Sequence, residues 1–457
     1  MANDDLSRLF QQCRPDEPLT SPKNPCYENC DDARGSCVAL EMARAIKLSD
    51  PVKPDFRLFT GHRGVGKSTE LHRLKSELEN PADGLPFFVL YTDVTERLDQ
   101  NDIEVNDLLV LLAAEVQAKM KEAGVPGFAT VPTKLKAWWE DLTGVLSSQV
   151  MLKALKADVG LANLTLEIRN QVGARANLRE QIELRATRLI DAINDLLETA
   201  IAGLRGGDKA GLVLIVDGLD KIAFRELQGG SNTHRRFFVN GADKLASLKT
   251  HVVYTVPINL AYSPDFTEVR QTFGWTCVPV PMIRLHESPA PATHKMPVIP
   301  GWEESAVVAP TASGLLAMKQ LLEKRVQVAG LEMDAVFDDQ KTVELLCKLT
   351  GGHPRHLLMF VRAAIGKVNA LPLTRAALQS AVKDYAQSLG REIPGKFWPW
   401  LRHFQKPATG FPPGLPDEVR QGILLWLYVF EYTNHQQFYC LNPVIELLPH
   451  LHEGHNR

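Results

Sequence analysis

The chain has 457 residues, of which 45% are apolar and 23% charged, and its formal net charge is -3. That length exceeds one ordinary core and points to about two to four domains. The composition excludes a disordered chain, and the near-neutral balance gives no global electrostatic case for nucleic-acid binding.

The opening, Met1-Ala2-Asn3-Asp4-Asp5, is acidic and precedes no apolar run, so an ordinary signal peptide is not expected. The densest late apolar stretch, 423–430, falls far short of the roughly 20 residues of a bilayer span. The expectation is a soluble, cytoplasmic protein with no membrane partner. Its seven cysteines are odd in number, and the last three are scattered. Reduced thiols are expected rather than a disulfide framework. Cys26, Cys30 and Cys37 lie close together, but C-x3-C-x6-C lacks the paired C-x2-C of structural zinc sites, and inert thiols are the favoured reading.

Residues 1–25 are polar and proline-bearing, and a flexible N-terminal arm is expected there. A helix is predicted over 35–48, then a short strand over 56–60 running into a glycine-rich loop. Leu71, Leu74 and Leu78 recur at helical spacing over 68–78. The β-rich run 86–94 reads as a second strand. Two helices broken near 124–132 fill 101–150, a strand is expected from Leu164 within 158–170, and one long helix over 176–205. At 1.5 Å per residue that helix would measure about 45 Å. Apolar strands are predicted at 212–216, 251–256 and 277–283. Runs apolar on both faces suit strands buried between helix layers, giving an α/β domain around a parallel sheet. Residues 286–311, rich in Pro, Ala and Ser, read as a linker. Helices are expected at 312–329, 338–349, 354–368 and 373–389. A helix near 418–429, a hairpin over 430–433 and 437–441, and a final helix entered at Pro443 follow. Helix then hairpin is the outline of a winged helix. The domain expectation is therefore an arm (1–25), a nucleotide domain (26–285) with an insert at about 100–210, the linker, a helical lid (312–390) and a winged helix (391–457).

Gly61-His62-Arg63-Gly64-Val65-Gly66-Lys67-Ser68 matches G-x-x-x-x-G-K-[ST], between an apolar strand and an amphipathic helix. Glycines let main-chain N–H groups curl around phosphate oxygens, and the helix N-terminus adds partial positive charge. Lys67 then supplies a cation to the β- and γ-phosphates, and Ser68 a hydroxyl ligand to Mg²⁺. The run 212–217 ends in Asp217 at a strand's carboxyl end, where ligands bind in open α/β sheets. Asp217 is the expected carboxylate on the Mg²⁺ side. Asp220 is a candidate for orienting the attacking water, weighed against a cap or surface acid. Thr255 ends its strand with a hydroxyl that can reach a γ-phosphate. Arg235, Arg236 and Arg270 are candidate arginine fingers. Pro354 suits a helix's first turn, from which Arg355 projects toward phosphate, with an ordinary helix start as the alternative.

With these elements in order, the chain resembles the AAA+-related STAND ATPases and, more distantly, the origin-recognition initiator ATPases. The residues that carry the resemblance are Gly61–Thr69 with Glu70-Leu71, Asp217-Gly218-Leu219-Asp220, Thr255 with Val256-Pro257, and the Gly352-x-Pro354 turn. It spans roughly residues 27–445. It implies a P-loop NTPase sheet with helices on both faces, then a helical lid and a winged helix. It implies ATP and Mg²⁺ as cofactors, held by Gly61, Gly64, Val65, Gly66, Lys67, Ser68, Thr69, Arg34, Pro354 and Arg355, with Tyr27, Arg34 and Gly35 where the N-terminal segment meets the base. It also implies a switch between ATP and ADP that works by homo-oligomerisation. The length after the winged helix leaves no room for the sensor array or fused effector usual in that family. A separately encoded effector or sensor is therefore the expected partner, in phage defence or a similar conflict. Gly218 and Lys221 stand where glutamate is usual, so slow hydrolysis is expected. The alternative is an initiator-like DNA-binding ATPase, for which Arg391, Lys396, Arg402, His403 and Lys406, interleaved with Phe397, Trp398 and Trp400, are the candidate surface.

Overall fold

The computed structural model describes residues 2–49, 53–145, 172–274, 277–286, 310–434 and 436–452. The strand expected over 158–170 lies outside them, as do residues 287–309 of the expected linker. The chain forms two compact units, one made of 39–60 and 73–278, the other of 1–38, 61–72 and 279–457.

The first unit is built on a five-stranded sheet. β1 (Phe56–Thr60), β2 (Phe88–Asp93), β3 (Leu212–Asp217), β4 (His251–Thr255) and β5 (Cys277–Pro279) lie in the order β2-β3-β4-β1-β5. The β2–β3, β3–β4 and β1–β4 pairs are parallel. Every residue of β3 and β4 is buried, so both sheet faces are covered, as the unbroken apolar runs predict. The register sets Asp93 opposite Asp217, Val216 opposite Tyr254, and Phe59 opposite Thr255. Three parallel strands therefore end together, at Thr60, Asp217 and Thr255. β5 is shorter than the expected strand over 277–283.

The helix α1 (Ala2–Gln12) and the turn-and-helix region after it belong to the other unit. α2 (Val38–Leu48) precedes β1, and α3 (Lys67–Glu79), whose residues 67–72 belong to the other unit, follows the glycine loop. α4 (Val105–Glu122) and α5 (Thr133–Val145) part where expected. Leu108 to Ala113 of α4 are all buried in the core. The single helix expected over 176–205 is instead two, α6 (Val172–Glu183) and α7 (Ala186–Arg205). No Gly or Pro marks the break. Tertiary pairing imposes it. Arg185 donates from Nε to Asp141 of α5 at 2.9 Å and from Nη1 back to the Gln181 carbonyl at 3.0 Å. Arg175 and Arg179 of α6 meanwhile hold Asp102 at 2.8 and 2.9 Å.

In the other unit, residues 2–12 form a helix where the sequence reading expects a flexible arm. Leu6, Leu9 and Cys13 are buried, an apolar stripe at helical spacing inside a polar segment. Arg8 donates to the Ala329 carbonyl at 2.8 Å, and Arg362 lies 3.6 Å above the Phe10 ring. α8 (Phe266–Phe273) closes the sheet unit. α9 (Pro310–Val328), α10 (Gln340–Leu349), α11 (Pro354–Ile365) and α12 (Arg375–Glu392) form the helical region. α13 (Asp417–Leu425) leads into the antiparallel hairpin β6 (Val429–Asn434) and β7 (Gln436–Leu441). Ala408 adds a bridge to Tyr439, completing a helix-then-hairpin order. The last helix starts at Pro449, with a 3₁₀ turn over Ile445–Leu447 before it, so Pro443 is not its first residue. No helix among the described residues is long and apolar enough to cross a membrane.

Candidate nucleotide site

The glycine loop, residues 61–66, is held by a different partner at almost every position. Lys67 is buried, and its Nζ donates to the carbonyls of Gly61 and His62 at 2.8 and 2.9 Å. The ammonium is thus fixed against the main chain that its motif predicts it to serve. His62 is 1% exposed. Its Nε2 accepts from the Glu431 N–H at 2.9 Å, so its Nδ1 is the donor to the Leu424 carbonyl at 3.2 Å. The carbonyl of Arg63 accepts from Nε2 of His353 at 2.8 Å, while Nδ1 of His353 caps α11 by accepting the His356 N–H at 3.1 Å. Both rings are neutral single tautomers by this bonding. Burial, then the Lys67 charge, pushes the His62 pKa down to about 3, and burial holds His353 well below the usual histidine range.

Gly64 has φ of 84°, and a Cβ there would lie 2.7 Å from both Arg355 Cβ and His353 Cε1. Only glycine fits that close approach in a left-handed conformation. Gly66, φ 106°, would meet only the Nη2 end of Arg34 at 3.2 Å. Arg34, assigned by resemblance to the base, donates from Nη2 to the Val65 carbonyl at 2.7 Å and from Nη1 to the Pro281 carbonyl. The structure thus brings Arg34 to the loop main chain. Val65 is fully buried. Ser68 and Thr69 are half-buried in the first turn of α3, and Thr69 Oγ1 accepts the Leu19 N–H at 3.2 Å. Pro354 takes the first turn of α11. The aliphatic part of Arg355 lies against Gly64. Its Nε donates to the Pro15 carbonyl at 3.3 Å and lies 3.2 Å from the Asp16 carboxylate. The guanidinium therefore faces the N-terminal segment.

In the sheet unit, Asp217 is 1% exposed. Its Oδ1 accepts the Gly218 N–H at 2.7 Å and its Oδ2 the Tyr91 hydroxyl at 2.6 Å. Tyr91, on β2, is a residue the sequence reading missed. No sequence signal marks it, because only the parallel pairing of β2 with β3 sets its hydroxyl beside Asp217. Asp220 is buried on the 3₁₀ turn Leu219–Lys221. Thr255 Oγ1 accepts the Leu219 N–H at 3.0 Å and faces the Val216 carbonyl at 3.4 Å. It ties the end of β4 to the turn carrying both acids.

The absence of glutamate at 218 has a steric reason. Gly218 has φ of 86°, and a Cβ would lie 2.6 Å from Thr95 Cγ2 and 2.7 Å from Asp93 Oδ1. Asp93 is itself anchored by the Thr95 N–H and hydroxyl at 2.9 and 2.7 Å, and Lys221 Nζ lies 3.7 Å from its other oxygen. Asp93, also missed in the sequence, thus lies beside both Gly218 and Lys221.

The arginine candidates are engaged within their unit. Arg235 pairs with Asp265 and Glu268, Arg236 lies 3.8 Å from Glu104, and Arg270 sits 5.0 Å over the Phe266 ring. Part of the basic-aromatic cluster makes contacts of its own. Arg402 donates to the carbonyls of Leu451 and His450 at 3.1 and 3.3 Å, Trp398 stacks on His450 at 5.5 Å, and Lys396 pairs with Glu418. Cys26 and Cys30 are buried, burial pushes the Cys30 thiol up to about 11, and no metal-holding group of three ligands occurs among the described residues.

The sequence matches no protein-family model and no curated protein. Among solved structures, a Walker-type ATPase of Pyrococcus abyssi aligns at 14% identity over 95% of this chain and 98% of that one, with a TM-score of 0.44. The Aeropyrum pernix ORC2 protein, in ADPNP and ADP complexes, aligns at 12% identity over 98% and 96%, with a TM-score of 0.42. The Aeropyrum pernix ORC1 protein in complex with DNA aligns at 13% identity over 93% and 91%, with a TM-score of 0.35.

Proposed function

We propose that this chain binds ATP with Mg²⁺ through Gly61–Ser68 and uses it as a slowly hydrolysing switch. The observation that carries the reading is the loop itself. It combines a complete motif, left-handed glycines at 64 and 66, a helix starting at Lys67, and a lysine ammonium fixed on the loop carbonyls. Such a cradle suits an anionic phosphate chain. Ser68 and Asp217 are the ligands assigned to Mg²⁺, which when bound would neutralise charge between the β- and γ-phosphates. Asp220 is assigned to orienting water. Slow turnover is inferred from the resemblance, in which glutamate is usual where this chain has Gly218 and Lys221.

The finer part of the proposal rests on the resemblance to STAND ATPases. ATP favours a self-associating form, and that form controls a separately encoded effector, in antiviral defence or a related conflict. Calorimetry with Mg-ATP tests the base of the reading. Wild type should bind and Lys67→Ala should lose at least tenfold in affinity; absence of any triphosphate binding by the folded wild type refutes it. Mass in solution with ADP and with a slow ATP analogue tests the switch, and identical masses remove it. The second reading, an initiator-like DNA-binding ATPase, would use the surface of Arg391, Lys396, Arg402, His403 and Lys406, where Lys396 forms an exposed ion pair with Glu418 and Arg402 donates to the Leu451 carbonyl; a salt-dependent DNA affinity lost on Arg402→Glu and Lys406→Glu tests it.

A further inference from the structure

The loop residue His62 has no task in the motif, since it is one of the unspecified x positions of the G-x-x-x-x-G-K-[ST] pattern. A solvated or small residue would suffice there. Instead the ring is buried and fills both of its hydrogen-bonding capacities with main-chain groups from distant sequence. One is the Leu424 carbonyl at the end of α13, the other the Glu431 N–H in β6. The next residue repeats the arrangement, because the Arg63 carbonyl takes its bond from His353 at the start of α11. Phe430, the residue before Glu431 in β6, packs against both histidines. Its ring stands edge-on to His62 at 5.7 Å and stacks on His353 at 5.6 Å, with an interplanar angle of 17°. Burial without the second partner would leave a polar nitrogen unsatisfied, so each ring holds only while its loop and its distant segment are both in place.

We infer that His62, seconded by His353, is a positioning residue that couples the shape of the phosphate loop to the seating of the α13–β6 segment, so that triphosphate binding and the stability of that seat are thermodynamically linked. The inference rests on the nucleotide reading above. Three features single out this pair. Two consecutive loop residues are tied to two different distal elements. Both ties run through imidazoles whose tautomers are set by paired partners. And the loop moves against them only by breaking bonds to buried main-chain groups. Linkage of this kind is reciprocal: whatever the ligand does to the seat, the seat does to ligand affinity.

The test is amide exchange of residues 422–434 in the full chain, with and without Mg-ATP, together with ATP affinity, for wild type and His62→Phe. Phenylalanine keeps a flat aromatic ring of somewhat larger size against Phe430 but neither hydrogen bond. In wild type, ATP should change exchange at Glu431 and its neighbours several-fold. In His62→Phe that response should vanish, while ATP still binds with affinity altered by about tenfold. A general loss of structure would raise exchange everywhere without abolishing the ligand response. If wild type binds ATP and exchange at 422–434 does not respond, the coupling is refuted whatever the variant does. If wild type binds no triphosphate, it is the nucleotide reading that fails. Should His62→Phe not fold, ¹⁵N spectra of the wild-type histidines replace it. They should show a neutral Nδ1–H ring for His62 whose resonances move on adding ATP, and an Nε2–H ring or unmoved resonances would overturn the proposal.

Discussion

Replacing Gly64 by alanine separates two effects that the structure places on one residue. At φ of 84° an L-residue is strained, by about 1–2 kcal/mol. Alanine also restricts the unfolded chain, which returns about 0.4–1 kcal/mol. The net conformational loss is therefore about 1 kcal/mol. Gly84 has the same φ of 84°, and a Cβ there meets nothing within 4 Å, so Gly84→Ala reports that conformational part alone. At Gly64 the new methyl lies 2.7 Å from Arg355 Cβ and His353 Cε1. Neither is the free end of a flexible chain, since Arg355 Cβ follows the α11 backbone and His353 is bonded at both nitrogens. Forcing them apart adds an overpacking loss of about 1–3 kcal/mol. Urea unfolding should thus find Gly64→Ala about 2–4 kcal/mol less stable than wild type and Gly84→Ala about 1 kcal/mol less stable. ATP affinity should fall at least tenfold in the first and stay unchanged in the second. Equal stability losses in the two variants would refute the packing of the α11 start on the loop.

Tyr91→Phe removes the hydroxyl donated to Asp217, and a hydrogen bond to a carboxylate contributes about 1.5–3 kcal/mol; phosphate release should slow several-fold while Mg-free nucleotide affinity stays unchanged, and an unaltered release rate would dissociate Tyr91 from Asp217 function. Gly218→Glu, which installs the usual glutamate, should lower stability by several kcal/mol rather than speed hydrolysis, because its Cβ meets Thr95 and Asp93; a faster, folded variant contradicts this. Stability should fall as the solution is acidified below about pH 6.5, the unfolded histidine value. Burial lowers His62 and His356 to about 3 and holds His353 well below its usual range, so the folded form takes up fewer protons than the unfolded one. Each contributes stability that is complete above about pH 6.5 and lost below it by up to about 1.4 kcal/mol per pH unit. His62→Phe should flatten that slope, and a slope identical to wild type in denaturation at pH 7 to 5 would exclude a neutral buried His62. Arg179→Met strands the buried Asp107, to which Arg179 Nε donates at 3.2 Å; thermal unfolding of the sheet unit should report a loss of about 3–5 kcal/mol, and a loss below 1 kcal/mol would show that pair to be dispensable.

Local chemistry alone determined a good part of this protein. The strands 212–216 and 251–256 were legible because apolar runs are incompatible with a solvated face, that at 86–94 because a β-rich run follows Gly84 and Pro86, and that at 56–60 from its place before the glycine loop. The loop 61–68 was legible because its glycines and lysine stand at fixed spacing between a strand and a helix. Asp217 was legible as the acid ending a buried strand. What stayed hidden depends on partners far away in sequence. The break at Leu184-Arg185 comes from Arg185 reaching Asp141, which no helical propensity encodes. The first helix comes from a stripe of Leu6, Leu9 and Cys13 too short to register against a polar, proline-bearing background. Tyr91 and Asp93 became site residues only when parallel pairing set β2 beside β3. His62, an unconstrained position in the motif, acquired its role only once Leu424 and Glu431 came within hydrogen-bonding range. Sequence periodicity reports which face of a segment is apolar. Only the tertiary structure decides which buried polar atom finds which partner, because that choice is a matter of distance and direction in three dimensions.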